Sequence, residues 1–151
     1  MRTFILSILF LSPFLFAQGT SVSFNTGDDD INQYLQEVDA YGKVEYQFFK
    51  NNLSLKFGVS LQDIDKYVQQ DKISPGDLYY ASAIASTLNK NADDLIALYN
   101  DKKDWIVIRD ELGIQPESKE YYRIKSKTLS GIGKVKSRNM DNYRGKTTGK
   151  K

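Results

Sequence analysis

Apolar residues recur along this chain at helical intervals, and capping residues and stops separate the runs. The pattern predicts a series of short helices. The clearest stretch is residues 74–114. Ser74 is placed to accept a bond from an orphan backbone N–H. Pro75 takes the first helical position, where no N–H is needed, and Asp77 faces the positive end of the helix dipole. Leu78, Ala81, Ala85 and Leu88 lie at helical spacing, with Ile84 beside them. The alanines at 81, 83 and 85 permit close helix approach. Asn91 caps a second helix carrying Asp93 and Asp94 in its first turn and Leu95, Leu98 and Tyr99 on one face. A third begins near residues 101–104, with Trp105, Ile108 and Leu112 as its inner stripe. Gly113 is its left-handed stop, Ile114 folds back, and Pro116 prevents continuation.

The flanks read less sharply. Residues 31–41 place Ile31, Tyr34, Leu35 and Val38 on one face, and Gly42 weakens that helix or marks a bend. Residues 44–57 continue with Val44, Phe48, Phe49, Leu53 and Phe57. The alternation over 53–57 also permits a strand, but a lone strand has no evident partner, so helix is preferred. After Gly58, Ser60 caps a helix with Asp63 near its start and Leu61, Ile64, Tyr67 and Val68 on its apolar face. Past Pro116, Ser118 caps one short turn from which Tyr121, Tyr122 and Ile124 pack back.

The run Trp105, Ile108, Leu112, Gly113, Ile114, Pro116, Ser118 and Tyr121 resembles the pattern Trp-x-x-Ile-x-x-x-Leu-Gly-Ile-x-Pro-x-Ser-x-x-aromatic of a family of small, uncharacterised secreted bacterial proteins. The start at Ser74, Pro75, Gly76, Asp77, Leu78 and Tyr79 is similar to that family's helix start. The likeness covers about residues 30–125. It departs at Asp104, Ile106 and Glu117, where the family often has glycine. The resemblance implies a secreted helical domain and supplies no activity.

Composition narrows the chemistry. The chain has no cysteine, so the fold stands on its core alone. It has no histidine, which removes the commonest general base and metal ligand. No catalytic residue, cofactor or metal site is expected. Residues 1–17 read as a cleaved signal peptide: Arg2, then an apolar run from Phe4 to Phe16, then Ala17. An uncleaved anchor and a buried strand are the alternatives. Cleavage predicts a secreted or periplasmic protein without a transmembrane helix. Residues 18–27 read as a flexible lead-in, and Asp28, Asp29 and Asp30 as acidic first-turn residues rather than a calcium loop.

Charge is divided. Residues 18–122 hold 10 lysines and arginines against 18 acids, whereas residues 123–151 hold 10 against 1. The expectation is an all-α bundle of five or six short helices over 28–124, followed by a disordered basic tail over 125–151. Lys134, Lys136, Arg138, Arg144, Lys146, Lys150 and Lys151 are its candidate polyanion contacts. The partner would be an anionic envelope component such as lipopolysaccharide, a nucleic acid, or an acidic protein surface, with the chain's own acidic body as the internal alternative.

Three site readings compete with that one. The helix pair around residues 95–114 has the outline of a DNA-reading motif, but Asp104, Asp110 and Glu111 repel phosphate, so no sequence-specific DNA binding is expected. The tyrosines at 79, 80, 99, 121 and 122, with Trp105, line a groove or fill half-buried positions, and the core reading is preferred. A carboxylate-dependent cell-wall hydrolase needs two acids convergent across a cleft. Neighbours such as Asp93/Asp94 and Asp110/Glu111 point apart. A non-enzymatic binding or envelope-associated protein is the expectation.

Overall fold

The computed structural model describes residues 22–131. The expected signal peptide and the seven candidate cations from Lys134 to Lys151 lie outside the described residues. Seven α-helices are present among the described residues: α1 Asp29–Val44, α2 Tyr46–Phe57, α3 Leu61–Asp65, α4 Pro75–Leu88, α5 Ala92–Lys102, α6 Trp105–Glu111 and α7 Lys119–Leu129. A π-helical turn, Lys66–Gln70, continues α3. No strand occurs among the described residues, so Leu53 to Phe57 are helical. The all-α class holds, with more helices than the five or six expected.

The caps follow from the sequence. Ser60, Ser74 and Ser118 each accept an N–H from the third residue on, Asn91 accepts from Asp93, and Gly113 stops α6 at φ 71°. The Ile114 amide then reaches back to the Arg109 carbonyl at 3.0 Å. Two departures from the family pattern have local roles. Asp104 caps α6, accepting from Ile106 at 2.8 Å. Glu117 takes φ 63°, a backbone that glycine reaches without strain.

Helix α4 is the axis. It packs against α1, α2, α5 and α7, and its small residues allow all four to approach. At Gly42 and Gly76 a Cβ would lie 2.5 Å from Pro75 Cβ and 2.3 Å from Phe24 Cζ. Gly42 is thus a point of contact inside a continuous helix rather than a bend.

Four expectations are corrected. The lead-in is fastened before α1: Phe24 is buried against Gly76, and Thr26 is buried with its hydroxyl 2.8 Å from Asn32 Oδ1. The C-terminal element is an 11-residue helix and not one turn, so the domain runs beyond 124 to Leu129 at least. Val44 and Phe48 do not share the inner face with Phe49 and Leu53. Glu45 interrupts the helix there, the phase resets, and both side chains face water. Leu61, expected on the inner face of α3, is also exposed.

Candidate functional site

The two halves of the central motif meet in the core. Asp77 N–H donates to the Ser74 hydroxyl, and that hydroxyl donates to Asp77 Oδ2 at 2.6 Å. The other oxygen, Oδ1, accepts from the Trp105 indole N–H at 2.8 Å. Trp105 is 3% exposed, stacked on Tyr99 at 4.7 Å and edge-on to Tyr80 at 4.9 Å. Ile108 and Ile114 are buried beside it, and Leu112 packs against the same cluster. Pro116 is exposed in the turn before α7. Ser74, Asp77, Trp105, Ile108, Leu112 and Ile114 therefore build fold, and Trp105 is a core residue. Tyr79 and Tyr80 are buried, more deeply than expected, while Tyr122 is 55% exposed.

Helix α7 is tied down at both ends. At its N-terminal end, Asp28 Oδ2 accepts from the Tyr121 hydroxyl and from Lys125 Nζ at 2.7 Å, and Lys125 also reaches Asp30 at 2.8 Å. Asp28 meanwhile caps α1 through Oδ1. Burial pushes the Asp28 carboxyl up, but Lys125, Tyr121 and the Ile31 amide outweigh it and hold the group below the usual carboxylate value. The acidic triplet thus does more than start a helix: it joins both ends of the domain. At the C-terminal end, Lys56 Nζ donates to the Lys127 carbonyl at 2.6 Å and to the Tyr79 hydroxyl at 2.8 Å, and Tyr79 donates to the Thr128 carbonyl. Burial, then the Lys127 charge, pulls the Lys56 ammonium down to about 8.

The outer face of α7 is basic. Lys119 and Arg123 are exposed on either side of Tyr122 and have no hydrogen bond or ion pair among the described residues. With Ser126 and Lys127 they line a shallow depression of about 440 Å³. Lys127 is held to the Ser86 hydroxyl at 2.8 Å. From Gly131 the chain continues into the sequence that carries the seven candidate cations.

A second feature was not legible in the sequence. A polar cleft of about 420 Å³ lies where the α2–α3 turn, α3, the C-terminal end of α4 and the start of α5 come together. Asp63 of α3 and Asp93 of α5 both line it, with Ser86, Asn89 and Lys90. The Tyr67 hydroxyl donates to Asp93 Oδ1, and Ser60 Oγ donates to Asp63 Oδ2 at 2.6 Å. Both acids looked like ordinary helix-start charge. Only the fold, in which the Tyr67 hydroxyl reaches Asp93, brings them to one cavity, and nothing in their spacing of 30 positions announces it. The cleft therefore holds two acids from different helices, as a hydrolase needs. The Asp93 side chain, however, is 53% exposed and remains solvated.

Among the described residues, no helix is long and apolar enough to cross a membrane. No group of three or more His, Cys, Asp or Glu is arranged there to hold a metal. No protein-family model matches the chain, and no curated protein or solved structure matches it either.

Proposed function

We propose that this chain is a non-enzymatic binding protein of the secretory route. In this reading α7 and the basic residues after it hold the helical body against an anionic envelope component. The carrying observation is the build of α7. Its inner face is spent on the two attachments, to Asp28 and to Lys56, while Lys119 and Arg123 stand unpaired beside the exposed Tyr122. A fixed cationic start to a longer basic sequence suits clustered phosphates, as on lipopolysaccharide, where charge density counts for more than shape.

The test compares the mature chain, residues 18–151, with a version ending at Gly131. A cut at 125 would remove the carbonyls of Lys127 and Thr128, so the loss of α7 would be mistaken for the loss of charge. Lipopolysaccharide, DNA and heparin are the ligands, across a salt series. The expected result is binding that needs the residues after 131 and falls at least tenfold between about 50 and 200 mM salt. Charge reversal at Lys119 and Arg123 should weaken it further. Equal binding by both versions, or binding indifferent to salt, would overturn the reading. Preference for lipopolysaccharide over DNA at equal phosphate would identify the source.

The rival reading is a carboxylate-dependent hydrolase at the Asp63/Asp93 cleft. A general acid needs a carboxyl taken out of water, and Asp93 is not. No cell-wall solubilisation by the mature chain is the expected outcome, and turnover abolished by Asp93→Asn would reverse this conclusion.

A further inference from the structure

The cleft between α3 and α5 borders α7 at Ser86, which lines the cleft and holds Lys127, but it has a chemistry of its own. Its volume, about 420 Å³, is in the range of small-ligand sites. Two carboxylate oxygens in it, Asp63 Oδ1 and Asp93 Oδ2, accept no hydrogen bond among the described residues: Ser60 takes the other oxygen of Asp63, and Tyr67 takes the other oxygen of Asp93, which Lys66 Nζ also approaches at 3.9 Å. On the same wall the Lys90 ammonium and the Asn89 amide also lack a hydrogen-bond partner among the described residues. The cleft thus presents strong acceptors and strong donors together. An anion would meet two carboxylates, and a compact cation would meet Lys90. A hydroxyl group both donates and accepts, and two hydroxyls on adjacent carbons can reach a carboxylate and an ammonium at once.

The two acids are also held in place before any ligand arrives. Asp63 is fixed by its exchange with Ser60 at the start of α3. Asp93 is fixed by Tyr67, whose ring is buried and whose hydroxyl stays protonated because burial, then Asp93 itself, pushes its pKa up. Phe57 gives the cleft an apolar flank. Fixed carboxylates beside an aromatic residue suit a molecule with polar rims and C–H faces, and the two acids lose little side-chain entropy on binding.

We infer that this cleft binds a sugar unit that carries no negative charge, through the free oxygens of Asp63 and Asp93 and the donors of Lys90 and Asn89. The inference is independent of the role proposed for α7. The test is an amide chemical-shift titration of residues 18–151 with glucose, glucosamine and N-acetylglucosamine, and with glucuronate as the charged counterpart. At least one of the first three should give saturable shifts at Asp63, Tyr67, Lys90 and Asp93 with a millimolar Kd. Glucuronate should bind at least tenfold more weakly. Asp93→Asn and Lys90→Ala should each weaken binding tenfold or more. Lys90 is exposed, so Lys90→Ala should leave the fold intact. Absence of saturable shifts with all three uncharged or cationic sugars would overturn the inference. So would equal binding of glucuronate, or binding unchanged in Lys90→Ala.

Discussion

Helices α4 and α2 are similar in length, at 14 and 12 residues, and they touch each other. Their fates differ. α4 buries twelve of its residues, whereas α2 buries only Phe49 and Leu53 and leaves Phe48 and Leu55 in water. Residue type alone does not explain this, since α2 buries one phenylalanine and one leucine and exposes another of each. What α4 has is smallness: Gly76, Ala81, Ser82, Ala83 and Ala85 let neighbours close from every side. Its hydroxyls cost little there, because Ser82 and Thr87 bond back to their own helix at 2.7 and 2.8 Å. Centrality follows from how many neighbours can approach, and bulky side chains limit that number.

Substitutions can break this contrast. The largest effect is expected at Trp105→Ala, which empties a site beside α4 and strips Asp77 of its indole donor. A loss of about 3–5 kcal/mol should appear in denaturant unfolding. Gly76→Ala should cost about 1–3 kcal/mol, because the new methyl meets Phe24 and the Leu35 carbonyl.

Lys56→Met tests the polar tie between the two helices through its pH dependence. The Lys56 pKa is depressed on folding, so between about pH 8 and 10 the unfolded chain binds more protons and stability rises with pH. The raised pKa values of the buried tyrosines, Tyr79 and Tyr80, act in the opposite sense above about 10. The rise from 8 to 10 should vanish in the methionine variant, and its persistence would show that another group carries it. Smallest of all, Phe48→Ser and Leu55→Ser should each change stability by no more than about 0.5 kcal/mol. A larger loss would mean that α2 has an inner role that its exposure hides.

Local signals were readable from the residues alone. Ser60, Ser74, Asn91, Ser118 and Gly113 act as caps and stops because capping is a short-range matter of a few backbone atoms. The helical class was readable for the same reason. Val44 and Phe48 were misplaced because a helical pattern carries across an interruption on paper, whereas the backbone at Glu45 shifts its phase. Phe24 and Thr26 looked like loop residues, since a buried side chain before a helix needs a tertiary partner, here Gly76 and Asn32, to reveal it. Lys56 and the Asp63/Asp93 cleft depend on which helices become neighbours, and no local spacing encodes that.

The bond between Asp28 and Lys125 joins residues 97 positions apart. A ribosome makes a chain from its N-terminus, so α1 exists long before the lysine and tyrosine that complete its cap. Until then the Asp28 carboxylate must keep its water, and that end of α1 can fray. Closing so long a loop is also entropically costly and slow. The first of the described helices to be made is therefore among the last to be finished, since its cap is complete only once α7 has emerged.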